Sequence, residues 1–208
     1  MKPKVFQLQV GQMANFSYIV ADEDSGEAAV IDPSWDLDRL FEILKKNGWK
    51  AKYVINTHSH FDHVLGNEQV KAVTGAKIIQ HENSPLSKDI AVREYDVILI
   101  GNIGLKVMYT PGHSKDSMCL ILDNQLIFTG DTLFVGNCGR VDLPGSDPEE
   151  MYHTLFDQLA KLDENLVVYP GHNYGPTSTS TIGREKMTNY VFQPRSKQEF
   201  LQFMSAGD

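Results

Sequence analysis

Cysteine is scarce in this chain: Cys119 and Cys138 are the only two among 208 residues. Two thiols so placed make neither a disulfide framework nor a Cys-x-x-Cys pair, and a reducing compartment is the simplest setting for them. Basic residues are also in deficit, 19 against 27 acidic, for a net charge of −8. A chain without a basic cluster is poorly equipped to grip a phosphate backbone, so nucleic acid is not expected as a partner. No apolar run is long enough to span a bilayer, and Met1-Lys2-Pro3-Lys4-Val5 lacks the apolar stretch of a secretory leader. A cytoplasmic protein without a membrane partner is therefore expected. What is present is the balance of a globular fold, 41% apolar and 22% charged residues, in a length that suits one domain over 1–208.

Short β-branched runs alternate with helical patterns. The segments 5–10, 16–20 and 28–31 read as strands, and Gly11 and Asp24-Ser25-Gly26 supply hairpin turns between them. Leu37, Leu40, Phe41 and Leu44 form a helical stripe over 37–46, closed by Asn47-Gly48. A buried strand over 51–55 runs straight into Thr57-His58-Ser59-His60-Phe61-Asp62-His63. Further along, the pattern predicts a helix over 66–73 and a strand over 77–80. Strands follow over 96–100, 105–109, 118–122, 125–129 and 167–169. Helices are expected over 148–162, with Asp147 as N-cap, and over 196–204. Residues 84–95 carry no readable pattern. Strands first, then mixed strand and helix, with strand ends feeding loops rich in His, Asp and Gly, point to a four-layer αβ/βα sandwich. In it, two mixed β-sheets pack face to face with helices on the outer faces.

Residues two apart in an extended segment point the same way, so His58, His60 and Asp62 can converge beyond a strand end while His63 turns to a neighbouring point. Imidazoles and carboxylates together suit zinc, iron or manganese. Three more pieces place a ligand-type residue beside small residues at a strand end: Thr110-Pro111-Gly112-His113, Thr129-Gly130-Asp131-Thr132 and Tyr169-Pro170-Gly171-His172. Five of the seven histidines fall in these four segments, a concentration that chance packing does not produce. The other two, His81 and His153, lack such surroundings and read as ordinary packed or surface residues.

The motif His-x-His-x-Asp-His, followed by a His, an Asp and a last His on separate loops, resembles the metallo-β-lactamase superfamily over almost the whole chain. The resemblance implies that His58, His60 and His113 hold a first metal, that Asp62, His63 and His172 hold a second, and that Asp131 bridges the two. Zinc is the first expectation for both divalent ions, with iron or manganese as alternatives. Asp32, in Val30-Ile31-Asp32-Pro33, matches a family aspartate that orients a histidine.

Within the superfamily, Phe128-Thr129-Gly130-Asp131-Thr132-Leu133-Phe134, Gly136-Asn137-Cys138-Gly139-Arg140 and Tyr169-Pro170-Gly171-His172-Asn173-Tyr174 resemble glyoxalase II, the hydroxyacylglutathione hydrolase. By that resemblance Arg140 and Tyr174 would hold glutathione. The chain departs from the pattern in lacking the long helical C-terminal region of glyoxalase II and in carrying Asp142 where a tyrosine is usual. Gly139-Arg140-Val141-Asp142 is closer to the persulfide dioxygenases. Arg140 thus has two readings, a substrate contact or an ion pair with Asp142, and Cys138 reads as a packing residue.

The implied reaction is hydrolysis of a 2-hydroxyacyl thioester such as S-lactoylglutathione by a hydroxide bridging two metals, oriented by Asp62 as the catalytic carboxylate. The alternatives are persulfide oxidation at a single iron on His58, His113 and Asp131, another hydrolysis such as that of a lactone, and a non-catalytic metal-stabilised protein. The partner in each catalytic case is a small thioester or thiol-derived molecule; the pattern says nothing of oligomeric state.

Overall fold

The computed structural model describes residues 3–193 and 196–205. The domain expected over 1–208 also takes in residues 1, 2, 194, 195 and 206–208, which lie outside that description.

The chain opens with an antiparallel meander of β1 (Pro3–Val10), β2 (Asn15–Asp22) and β3 (Glu27–Ile31). Helix α1 (Leu37–Asn47) then crosses over to β4 (Lys50–Ile55), which lies parallel to β3. The short α2 (Phe61–Val64) and α3 (Asn67–Thr74) lead to β5 (Lys77–His81), and β6 (Ile90–Val92) closes the first sheet in the order β1-β2-β3-β4-β5-β6. The second sheet begins with β7 (Val97–Ile100), β8 (Ile103–Tyr109), β9 (Met118–Leu122) and β10 (Leu126–Gly130), each antiparallel to the one before. A two-stranded hairpin, β11 (Leu133–Phe134) and β12 (Asn137–Cys138), stands apart from it. After α4 (Pro148–His153), β13 (Val167–Pro170) pairs parallel to β10 and β14 (Ser180–Thr181) antiparallel to β13. Helices α5 (Ile182–Thr188) and α6 (Lys197–Ser205) complete the described chain.

Alternation along the strands produces the layers. Phe16, Tyr18 and Val20 of β2 point into a core between the sheets, where Ile55 and Ile79 meet Leu105, Val107, Leu120 and Phe128 of the second sheet. Ile19 and Ala21, on the other face, meet Leu37, Leu40 and Leu44 of α1 and Val70 of α3. With both faces covered, β2 is buried along its whole length, as strands between two layers are. On the far side Cys119, Ile121, Ile127 and Val168 receive Met151, Leu155, Leu159, Ile182 and Phe200. The four layers are those expected from the sequence. No helix among the described residues is long and apolar enough to cross a membrane.

One local expectation needs correction, and two segments without an assignment gain one. The helix expected over 148–162 is α-helical only to His153; a π turn (Thr154–Gln158) and a 3-10 turn (Leu159–Lys161) follow. Thr154 is the reason: it is fully buried, and its hydroxyl donates to the carbonyl of Pro111 at 2.7 Å. That contact ties the helix to the loop before His113, and a helix that must meet such a contact widens locally. Asp147 does cap α4, accepting from the backbone of Glu149 and Glu150. The unpatterned segment 84–95 contains β6. Its approach is held by polar contacts, Ser84 to Gln80 and Lys88 to the carbonyls of Ser84 and Leu86, and these leave no apolar period to read. Finally, the segment 180–188, unassigned in the sequence, forms β14 and α5, with Thr181 accepting from the Arg184 amide as N-cap.

Candidate metal centre

Strand ends of both sheets deliver side chains to one end of the sandwich. β3 ends beside Asp32, β4 leads to His58, β8 leads to His113, β10 ends beside Asp131 and β13 leads to His172. Backbone bonds stitch the sheets together at this end: the Phe16 amide donates to Gly171, Met118 to Thr57, and Asn173 to Ala14.

The histidine segment is extended only as far as His60. From Phe61 the chain turns helical, with the His63 amide donating to the His60 carbonyl at 3.0 Å. The two-residue period therefore stops before Asp62, and the expectation that Asp62 joins His58 and His60 is corrected. Three groups of ligand-type atoms form instead, each within 4.8 Å: His58, His60 and His113; Asp62, His63 and His172; and His58, His63 and Asp131. Asp131 lies between the first two, 3.3 Å from His63 Nε2, 3.3 Å from His172 Nε2 and 3.6 Å from His113 Nε2. All seven predicted ligand residues are thus brought together, and all but His60 are buried.

The outer ring nitrogens are tethered. His63 Nδ1 lies 3.0 Å from Asp32 Oδ2, His113 Nδ1 2.9 Å from the Arg140 carbonyl and His172 Nδ1 2.9 Å from the Met13 carbonyl. These oxygens accept an N–H, so each ring donates from Nδ1 and turns Nε2 inward, the arrangement of metal-ligating histidines, whose Nε2 gives up any proton to the metal. Two inward atoms, His58 Nε2 and Asp131 Oδ1, are buried and have no hydrogen-bond partner. Orphaned buried atoms are costly, and a cation among them would satisfy both. Charge makes the same demand. Burial raises the cost of ionising Asp131 and Asp62, yet the neighbouring His63 and His172 hold Asp131 well below the usual carboxylate range and Asp62 at about 2. His172, against the cost of its own burial, is drawn up to about 9 by Asp131 and Asp62. His58 is pushed the other way, by burial and then by its cationic neighbour His63. The carboxylates call for positive charge at the centre, and the donor set fits divalent metal ions of the zinc, iron or manganese type.

Asp32 stands behind His63. Its carboxylate accepts from the Thr57 amide at 2.8 Å and the Thr57 hydroxyl at 2.6 Å, besides its contact with His63. It does so from a left-handed backbone (φ 48), a conformation that costs a non-glycine residue on the order of 1 kcal/mol and persists where its surroundings impose it. The backbone also approaches closely at Gly171 and Gly139, where a Cβ would overlap Asp131.

Sequence reasoning missed a second ring of supports. Asn15 donates to Asp62 Oδ2 at 2.9 Å and to the Asp62 carbonyl, and Ser34 donates to the same carbonyl at 2.6 Å. Neither stands in a ligand-like motif. The only signal was polarity at positions flanking buried strands.

A cavity of about 500 Å³ opens over the cluster, walled by Met13, Phe61, Leu143, Pro144, Arg140 and Tyr174. The Tyr174 ring stacks on His172, centroids 4.6 Å apart, and burial with the nearby Asp131 and Asp62 pushes its phenol up to about 12. Arg140 lines this cavity and forms a bidentate pair with Asp142, at 2.6 and 2.5 Å. Both of its sequence readings therefore have a structural footing. Cys138 packs in the second helical layer, its thiol pushed by burial up to about 12. His81 stacks on Tyr109 and His153 pairs with Asp157, both outside the cluster.

Comparison with known proteins gives the following. Residues 10–172 match the family model described as the metallo-beta-lactamase superfamily. A hydroxyacylglutathione hydrolase of Polaromonas sp. is 39% identical over 166 residues, covering 77% of this chain; the chain spans only 62% of that relative's length. The mitochondrial persulfide dioxygenase ETHE1 of Mus musculus is 31% identical, with 91% of this chain and 75% of the relative covered. Among solved structures, ETHE1 from Myxococcus xanthus superposes with a TM-score of 0.92 at 29% identity, covering 97% of this chain and 90% of the other.

Proposed function

The chain belongs to the metallo-beta-lactamase superfamily, and from that premise we propose that it is a metal-dependent thioester hydrolase. Its acyl substrate is a 2-hydroxyacyl group, and S-lactoylglutathione is the first compound to assay. The observation that carries this reading is the second ligand group: Asp62, His63 and His172 converge beside His58, His60 and His113, with Asp131 between them. A hydrolase uses two such sites, whereas oxygen chemistry at one iron needs only a face of His, His and carboxylate. When bound, two divalent ions supply hydroxide at neutral pH and polarise a carbonyl.

The chain's own residues do the rest. The tethered Nδ1 atoms fix the orientation of His63, His113 and His172. Asp62, held by Asn15 and ionised at neutral pH, is the carboxylate that orients the attacking hydroxide by accepting its hydrogen bond. The phenol of Tyr174 stays protonated and offers a donor to the substrate at the cavity wall. Met13, Phe61, Leu143 and Pro144 line the approach with apolar surface, which excludes water from the reacting end.

The second reading, persulfide oxidation at one iron, is favoured by the close superposition with the Myxococcus ETHE1 structure and by the likeness to the mouse persulfide dioxygenase. Metal analysis of anaerobically purified protein, paired with thioester hydrolysis and oxygen uptake on glutathione persulfide, separates the two. Near two metals per chain with hydrolysis supports the proposal. One iron per chain with oxygen uptake and no hydrolysis overturns it.

A further inference from the structure

The cavity over the cluster is apolar on its outer walls. Met13, Phe61 and Tyr174 are among the large side chains left exposed, at 41%, 62% and 56%, and all three line this one opening. Isolated exposed apolar residues carry no message, but several gathered at the mouth of a reactive cleft mark a binding surface. Among the described residues lining the cavity, Arg140 is the one lysine or arginine. Its guanidinium already has a carboxylate: Nε and Nη2 donate in parallel to Asp142 Oδ1 and Oδ2. That fork is the geometry by which arginine would hold a substrate carboxylate. With its partner supplied from two residues away, the cleft's one lysine or arginine already has its Nε–Nη2 fork engaged.

We propose that the cleft selects a thioester whose thiol arm is uncharged and apolar, and that Asp142 is the specificity-determining residue, because it withholds Arg140 from thiols that bear carboxylates. This rests on the thioester-hydrolase reading and narrows its thiol. The acyl group faces the metal ligands, the arm lies against Met13, Phe61 and Tyr174, and an anionic arm must displace Asp142 from Arg140 before it gains a contact.

The pair is exposed on both sides, 63% and 55%, so its grip is modest. Exposed pairs of this kind shift binding by at most roughly five-fold. Two substrates with the same acyl group test the inference, S-lactoylglutathione with a carboxylate-bearing thiol and S-lactoyl-N-acetylcysteamine with a neutral one. The wild type is expected to favour the neutral thioester in kcat/KM. Asp142→Asn and Asp142→Ala should each shift the ratio towards S-lactoylglutathione about five-fold, through KM, and adding Arg140→Met should abolish the gain. Calorimetric binding of S-hexylglutathione against S-hexyl-N-acetylcysteamine gives the same comparison without catalysis. A wild type that binds the glutathione conjugate more tightly than the neutral one, or Asp142 variants that leave both ratios within two-fold, would overturn the inference. Hydrolysis of neither thioester, with the binding contrast intact, would instead refute the hydrolase reading and leave the cleft's selectivity standing.

Discussion

Asp32→Asn isolates the work of one buried carboxylate. Asn is nearly isosteric and tolerates the left-handed backbone that Asp32 occupies. Its amide oxygen can still accept from Thr57, but its NH2 group must then face His63 Nδ1, 3.0 Å away in the wild type. Two donors cannot meet there, so His63 changes tautomer, loses its inward lone pair and offers an N–H to the metal position. The expected loss is 10- to 100-fold in metal affinity, about 1.4–2.7 kcal/mol, the usual cost of removing the partner of a metal-ligating histidine. It should fall on the site of Asp62, His63 and His172, while the site of His58, His60 and His113 keeps its affinity within a few-fold, because Asp32 touches neither His60 nor His113. The lost ionic contact should also lower the melting temperature of the metal-free protein by about 3–12 °C, given roughly 1.5–3 kcal/mol for one hydrogen bond to a charged group and about 2–4 °C per kcal/mol for a chain of this size. Competition titration against a chelator with two resolved binding steps is the assay. Two steps weakened equally, or an unchanged weaker step, would refute the tautomer argument.

Glu185 is buried and accepts from the Gly136 amide at 2.8 Å, the Ser180 hydroxyl at 2.5 Å and Asn189 Nδ2 at 2.8 Å. Glu185→Ala strands these donors and should cost about 3 kcal/mol or more, read as a lower denaturant midpoint; Glu185→Gln should recover a good part of it, and no recovery would mean that packing alone is responsible. Cys138, buried with its thiol pushed to about 12, should react with a maleimide at least 100-fold more slowly in native protein than in denaturant; fast native labelling would mean that β12 opens readily.

The layers were legible because β2, β9 and α1 each carry apolar residues at the period their burial demands. The cluster was legible for a different reason: histidines and aspartates beside glycine at strand ends are conspicuous in a chain with few histidines. The legibility stopped where chemistry is carried by contacts rather than by pattern. Asn15 and Ser34 support Asp62 from positions that show only as polar residues. The π turn at Thr154 arises from one buried hydroxyl meeting the Pro111 carbonyl, a long-range contact with no sequence period. The split of His58-x-His60-x-Asp62-His63 between two groups follows from a helix beginning at Phe61. Periodicity within the motif pointed His58, His60 and Asp62 to one place and His63 to a neighbouring one; the family resemblance assigned Asp62 to the second group, and Asp62 lies with His63 and His172. Arg140 could be read as a substrate contact or as the partner of Asp142, and only three-dimensional placement shows that it pairs with Asp142 at the wall of the cavity.

The central claim is a two-metal centre joined through one carboxylate, and metal content measured on Asp131→Ala beside the wild type tests it most directly. The carboxylate lies between both ligand groups, 3.3 Å from His63 and His172 and 3.6 Å from His113. The account predicts close to two metal ions per wild-type chain and loss of most of both in the variant, with hydrolysis lost alongside and the fold retained by circular dichroism. A folded Asp131→Ala protein that keeps full metal content and activity would contradict it.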